Sequence, residues 1–185
     1  MLLYVYLQQG RNADGAKLLE QQMNSPLMPA NEKVQRQKTL AQLYFRAGSY
    51  GKALQVGNQY LKSAPGDKDI QLLVAQAYFE QHDYKSAIAS AERIIKTQSP
   101  PSQDLLQLIA RSNYELKDTA GTSKALEQLL KYYPTADTWK SVLKGYIENT
   151  KNDEPLGDLY RLAQDVGALS KPSDYIDMSQ ALTVT

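Results

Sequence analysis

One short stretch occurs twice in this sequence, and the distance between the two copies is the strongest constraint on the fold. AQLYFRAGSYGKALQ begins at Ala41, and AQAYFEQHDYKSAIA begins at Ala75. Matching residues stand 34 apart in one register, and they are Ala41 and Ala75, Tyr44 and Tyr78, Tyr50 and Tyr84, and Ala53 and Ala87. A fixed period of about 20–50 residues is the signature of a chain built from stacked structural repeats. The sequence therefore predicts repeating units.

Each copy has the spacing of two helices joined by a tight turn. Apolar residues recur at intervals of three and four on both sides of a short polar break. The break is Ala47–Ser49 in the first copy and Gln81–Asp83 in the second. Ser49 and Asp83 stand where a helix N-cap belongs, since their side-chain oxygens can accept from free backbone N–H groups. We expect each unit to be a helical hairpin.

This pattern resembles the tetratricopeptide repeat (TPR), a helix–turn–helix unit of 34 residues with small, aromatic and closing proline positions. In the first clear unit these positions are Ala41, Tyr44, Ala53 and Pro65; in the second the proline is displaced to Pro100. The resemblance implies an all-α fold, an α-solenoid of stacked antiparallel helix pairs that forms a right-handed superhelix.

Weaker units extend the pattern over the rest of the chain. In the third unit Asn113 replaces the tyrosine and Thr122 the interhelical alanine, while Trp139 supplies the family's tryptophan in the fourth. We predict a single TPR-like solenoid over residues 1–185, with approximate units at 1–30 (partial), 34–67, 68–102, 103–135, 136–169 and 170–185 (partial). Both ends are apolar, through Leu2, Leu3, Val5, Leu182 and Val184. We expect either a piece of a longer array or ends that another chain covers.

Composition argues against several functional classes. The 21 basic and 20 acidic residues leave a formal net charge of +1, so no long-range field attracts nucleic acid or an anionic membrane. The chain has no cysteine, which removes disulfides and thiolate metal sites. The longest apolar run, MLLYVYL, is far shorter than the roughly 20 residues of a membrane-spanning helix.

We find no pattern that indicates catalysis. His82 is the single histidine, and it replaces the turn residue Gly48 of the preceding unit. Histidine tolerates positive φ better than most residues, so a turn role is favoured over a catalytic one. The acid pair Asp67 and Asp69 stands at a helix start, where carboxylates act as caps. We predict no enzyme activity, no cofactor, no metal and no nucleic-acid partner.

The family resemblance also implies where a partner binds. In TPR proteins the first helix of each unit lines the concave side, with ligand contacts at its second, fifth, ninth, twelfth and thirteenth positions. The predicted partner-binding residues at such positions are Lys38, Gln42, Phe45, Arg46, Leu72, Gln76, Phe79, Arg111, Tyr114, Lys140 and Lys144. We expect this groove to bind a peptide or helix of another protein. In the competing interpretation, the aromatic residues are core and the charged residues are only solvated.

The family's known clamp for a C-terminal carboxylate is absent from this sequence. Lys38 fits the clamp, whereas Gln42, Leu73, Asp104 and Leu108 do not.

Two other functions stay open: a structural, self-associating piece of a larger array, and the regulatory helical part of a larger enzyme. The stretch YYPTADTWKSVLKGY resembles helical-repeat proteins exported by Gram-negative bacteria, which implies the periplasm, while the cytoplasm stays open.

Overall fold

A computed structural model describes residues 2–26, 28–134, 154–165 and 167–169 of the chain. Within these ranges all regular structure is α-helical and no strand occurs. The helices are α1 (Leu2–Gln8), α2 (Asn12–Met23), α3 (Ala30–Arg46), α4 (Tyr50–Ser63), α5 (Lys68–Glu80), α6 (Tyr84–Ile95), α7 (Gln103–Glu115), α8 (Thr119–Tyr132) and α9 (Glu154–Asp165). The predicted all-α class is confirmed. Trp139 and the other predictions for residues 135–153 lie outside the described ranges.

The chain forms two compact units, residues 1–90 and 91–185. In the first unit each helix from α1 to α5 packs against the next one. In the second unit α7 packs against α8, and α8 packs against α9. Such packing follows from the sequence, because apolar residues three and four apart form a stripe that must be buried against a neighbour. On α3, for example, Leu40, Leu43 and Tyr44 are all buried.

Small residues stand where the two helices of a hairpin approach each other. Ala41 and Ala53 of the α3–α4 hairpin are fully buried, as are Ala75 and Ala87 one period later. Helix axes can come within about 8–10 Å only where side chains at the contact are compatible with that distance. The predicted role of these alanines as close-contact positions is therefore confirmed.

The α7–α8 hairpin has different residue types at two repeat positions, and a nearby glycine makes room for one of them. Asn113 is buried where the other units have tyrosine, and Thr122 is fully buried where they have alanine. A Cβ atom placed on Gly121 would lie 2.7 Å from the Asn113 Cγ atom, which real Cβ atoms do not tolerate. Gly121 thus provides the space that the Asn113 side chain occupies.

The turn inside the hairpin has the same geometry in three units. One residue of each turn has a positive φ, namely Gly48 (70°), His82 (60°) and Lys117 (59°). Its N–H donates to the carbonyl three residues back, and the following N–H donates to the carbonyl five residues back, with N···O distances of 2.8–3.0 Å. This is the Schellman motif, which satisfies the last carbonyls of a helix. The predicted turn role of His82 is confirmed.

The turn in the α7–α8 hairpin offers a stabilising substitution. We expect Lys117→Gly to raise the free energy of unfolding by about 0.5–1 kcal/mol. Glycine removes the strain of a lysine in the left-handed conformation, and this gain exceeds the loss caused by the larger conformational entropy of glycine in the unfolded chain. Urea denaturation followed by circular dichroism measures the change. As a control, Lys124→Gly inside α8 should cost about 1 kcal/mol. A loss of stability in Lys117→Gly would contradict the strain argument.

In the three hairpins from α3 to α8, the residue directly before the second helix has a short polar side chain. The Asp83 carboxylate accepts from the Ser86 N–H at 3.2 Å, and Asp118 accepts from the Gly121 N–H at 2.9 Å. Ser49 occupies the same position before α4, but its side chain makes no capping hydrogen bond. The predicted cap is therefore confirmed for Asp83, whereas for Ser49 only its position is correct.

Candidate protein-binding face

Seven of the predicted binding residues lie on α3 and α5, the first helices of the two clearest hairpins. These helices contact each other within the first compact unit. We call the surface that they form the α3–α5 face, and its residues are Lys38, Gln42, Phe45 and Arg46 on α3 and Leu72, Gln76 and Phe79 on α5. Their spacing follows from the helical period, since residues three and four apart share a side of a helix.

The two phenylalanines on this face belong partly to the packing of their own hairpins. Phe45 meets Tyr50 edge-on, with ring centroids 5.4 Å apart and an interplanar angle of 65°. Phe79 meets Tyr84 in the same way, at 5.3 Å and 62°. Both phenylalanines are half-buried. They tie each first helix to the start of the second helix and keep part of each ring at the surface.

Lys38 is paired inside the protein. Its Nζ atom lies 2.8 Å from Asp67 Oδ2 and 3.3 Å from Asp69 Oδ2. The hydrogen bond to Asp67 is the largest influence on the pKa of Lys38, which is raised above its ordinary value. The lysine that we expected to select acidic groups of a partner already has two carboxylates beside it.

Asp67 is the centre of a polar cluster that joins three helices. Its Oδ1 accepts from the Ile70 N–H at 3.3 Å, which caps α5 as predicted, and its Oδ2 accepts from the Tyr60 hydroxyl at 2.7 Å. Burial alone would raise the pKa of Asp67, but hydrogen bonds from Lys38, Tyr60 and Ile70 lower it below its usual value. The hydrogen bond to Asp67 is likewise the main reason that the pKa of Tyr60 is raised.

Tyr44 is the repeat tyrosine of α3, and its hydroxyl is buried. Burial first, and then the nearby Glu20 carboxylate, raise the pKa of Tyr44 to about 12. The hydroxyl has no hydrogen bond of ordinary geometry among the described residues. Lys52 lies over the ring, with its Nζ atom 5.0 Å from the centroid. This tyrosine is therefore a core residue, as the repeat pattern predicts.

Two glutamines stand at equivalent points of the face, one on each helix. Gln42 and Gln76 are 34 residues apart, and both are half-buried. Neither side-chain amide makes a hydrogen bond to another described residue. Beside them Arg46 is exposed and Leu72 is half-buried. The face therefore combines two amide groups, three apolar side chains and two cations, of which Lys38 is already paired.

The remaining predicted binding residues are not part of this face. Arg111 and Tyr114 lie on α7 in the second compact unit, where Arg111 is exposed and Tyr114 is half-buried. Lys140 and Lys144 lie outside the described residues. The contact between Asp67 and Lys38 has no signal in the sequence, because Lys38 precedes Asp67 by 29 residues and no local spacing links them.

The described part of the chain contains no cluster of three or more histidine, cysteine or acidic side chains that could hold a metal ion. Among the same residues no helix is both long enough and apolar enough to cross a membrane.

A match to a known protein family supports the assignment of the 34-residue repeat. Residues 15–94, which cover most of α2 to α6, match the family model of the anaphase-promoting complex, cyclosome, subunit 3, a family of TPR-type repeats. No curated protein matches the chain. The matched range contains both copies of the 34-residue stretch. The chain is a TPR-like helical-repeat protein, as the sequence predicted.

Repeats of this class generally mediate protein–protein interactions and generally form non-catalytic scaffolds.

Proposed function

We propose that this protein is a non-catalytic scaffold that binds a peptide segment of a partner protein on the α3–α5 face. The observation that carries the proposal is the pair Gln42 and Gln76, two half-buried residues that stand one 34-residue period apart on two helices in contact. A glutamine side chain offers both a donor and an acceptor, which are the two groups that a peptide backbone needs.

The spacing of the two helices supports an extended peptide. Neighbouring packed helices have axes about 8–10 Å apart, and an extended chain advances about 3.3 Å per residue. Two glutamines on adjacent helices can therefore reach backbone groups about three residues apart in the ligand. Recognition of backbone groups provides affinity without requiring a particular side chain at every position.

The other residues of the face supply selectivity. Leu72 and the exposed parts of Phe45 and Phe79 offer apolar contacts, each with a maximum of about 1.5–3 kcal/mol when fully buried. Arg46 is an exposed cation that attracts a carboxylate of the ligand. Lys38 contributes less to this selection because Asp67 and Asp69 already neutralise it.

Substitution of the glutamine pair tests this proposal. Peptides selected from a random display library against the wild-type chain are measured by fluorescence anisotropy. We expect Gln42→Ala combined with Gln76→Ala to weaken their binding roughly 10- to 30-fold, since two hydrogen bonds of about 1 kcal/mol each are lost.

The matched control is Gln55→Ala combined with Gln59→Ala on α4, where both glutamines are exposed. This pair should leave peptide affinity and helical content unchanged. Equal binding by wild type and by the Gln42/Gln76 variant would remove the α3–α5 face as the binding site.

A further inference from the structure

One end of the α3–α5 face carries more negative than positive charge. Lys38 Nζ lies 2.8 Å from Asp67 Oδ2 and 3.3 Å from Asp69 Oδ2. The hydrogen bond to Asp67 raises the pKa of Lys38, and despite burial its hydrogen bonds lower the pKa of Asp67, so both groups are charged at neutral pH. A single cation therefore stands beside two carboxylates.

Of these two carboxylates, Asp69 is the one that a ligand can reach. The Asp67 side chain is 14% exposed, and its oxygens already accept from Lys38, from the Tyr60 hydroxyl and from the Ile70 N–H. The Asp69 side chain is 78% exposed, and its contact with Lys38 is the longer of the two. The excess negative charge is therefore presented to solvent at Asp69.

The position of Asp69 on α5 brings this charge to the edge of the α3–α5 face. Asp69 precedes Leu72 by three residues, and Leu72 precedes Gln76 by four, so the three share one side of the helix. The exposed Lys68 lies on another side of α5, since consecutive residues of a helix point about 100° apart. A ligand that contacts Leu72 and Gln76 therefore passes close to Asp69.

The exposed cation of the face stands well away from Asp69. Arg46 follows Lys38 by eight residues on α3, which corresponds to about 12 Å along the helix. Because Asp69 lies beside Lys38, at least this distance separates the two exposed charges along the direction of α3. An extended peptide advances about 3.3 Å per residue, so at least about four residues of a ligand are needed to join them.

We propose that the segment bound on the α3–α5 face carries a lysine or arginine opposite Asp69, at least about four residues from the acidic group opposite Arg46. The inference rests on the proposed function and names the charge of its ligand. A ligand carboxylate at the same point would meet Asp69 and would have to compete with it for Lys38, and juxtaposed like charges suppress binding. This end of the face thus selects a base, although Lys38 by itself indicated an acid.

Matched peptides measure the charge preference. Peptides selected from a random display library against the wild-type chain should share a lysine or arginine at one position. A synthetic copy of a selected peptide and a second copy with glutamate at that position are compared by fluorescence anisotropy. We expect the glutamate copy to bind roughly tenfold more weakly, because an attraction is lost and a repulsion of similar size appears.

Two substitutions of Asp69 should change this preference in steps. Asp69→Asn keeps the side-chain shape and leaves one cation beside one carboxylate, so the two copies should bind within about twofold of each other. Asp69→Lys leaves an excess of positive charge, and the glutamate copy should then bind more tightly, again by roughly tenfold. Both variants should keep the wild-type circular dichroism spectrum, since this side chain is largely exposed.

Glu92→Lys on α6 is the matched control for Asp69→Lys. It makes the same change in net charge at an exposed position in the second compact unit. The preference for the basic copy should be the same in this variant as in wild type. Raising the salt concentration from about 0.1 M to about 1 M should weaken the wild-type preference, because the Debye length falls from about 10 Å to about 3 Å.

The glutamine pair separates failure of this inference from failure of the proposed function. Peptides that need Gln42 and Gln76 but have no preferred basic position, or whose preference is the same in the Asp69 variants, would overturn the inference alone. Peptides that bind equally well without the two glutamines would remove the proposed function, and this inference with it.

Two further results would also overturn the inference. A preferred basic position fewer than about three residues from the preferred acidic one would be too close to reach both Asp69 and Arg46. Competition by free lysine amide at the concentration of the peptide would assign Asp69 to small cations instead of a peptide. We expect no such competition, because lysine amide lacks the backbone groups that the glutamines bind.

Discussion

Gly57→Val is expected to lower the free energy of unfolding by about 2–3 kcal/mol, because it overfills a closely packed contact between two helices. A Cβ atom at this position would already lie 2.9 Å from Val74 Cγ2 and 3.6 Å from Ile70 Cγ2. The two methyl groups of valine extend further toward α5, so the helices must separate or the side chains must leave their preferred rotamers. Urea denaturation followed by far-UV circular dichroism measures the loss.

Two variants control for this prediction. Gly66→Val lies in an exposed loop where a Cβ atom meets nothing within 4 Å, and its effect should stay within about 0.5 kcal/mol. Adding Val74→Ala to Gly57→Val should recover part of the loss, because the shorter side chain returns space to the same contact. If Gly57→Val were as stable as Gly66→Val, the close approach of α4 and α5 would be refuted.

Asp67→Ala is expected to cost about 2–3 kcal/mol of stability. The substitution removes the cap of α5, for about 1 kcal/mol, and the hydrogen bond from the Tyr60 hydroxyl to a charged acceptor, for about 1.5 kcal/mol. The ion pair with Lys38 adds less than about 1 kcal/mol, since 29% of the lysine side chain is exposed to solvent. Thermal and urea denaturation report the total.

Asp69→Ala is the matched control for Asp67→Ala. Asp69 also approaches Lys38, at 3.3 Å, but 78% of its side chain is exposed. Its removal should therefore change the free energy of unfolding by no more than about 0.5 kcal/mol. Equal losses for the two aspartates would show that the cluster around Asp67 does not stabilise the fold.

The same cluster has a predictable pH dependence. Because hydrogen bonds lower the pKa of folded Asp67, its ionised form stabilises the fold above the unfolded pKa of about 3.9, and this contribution is lost as the pH falls through the folded value. The stability difference between wild type and Asp67→Asn should be constant from about pH 7 to pH 5 and should shrink below about pH 4. A difference that grows on acidification would contradict this linkage.

Local patterns predicted a large part of the fold, and particular residues explain why. The positive φ of His82 follows from its alignment with Gly48, because a tight hairpin turn needs one left-handed residue at a fixed point. Lys117 has the same φ one unit later, although lysine by itself gives no such signal. The small residues at the hairpin contacts were also predictable, since close approach of two helices restricts side-chain size directly.

The candidate site was less predictable from the sequence. The positions of Gln42, Gln76, Phe45 and Phe79 on first helices follow from the repeat register. By contrast, the pairing of Lys38 with Asp67 and Asp69 depends on how the end of α4 and the start of α5 approach α3. Propensity and periodicity act over a few residues and carry no information about that approach. The unpaired charge on α3 therefore differs from the charge counted along its sequence.

The helical hairpins of TPR-like type follow from the sequence alone, because the 34-residue period and the placement of small residues are local properties that repeat. Which charges are already neutralised follows from the tertiary structure. Lys38 and Arg46 lie on the same helix, yet Lys38 is within 3.3 Å of two carboxylates whereas Arg46 is exposed. The difference arises because Asp67 and Asp69 at the start of α5 approach Lys38, and the pairing of a charge depends on its neighbours in space.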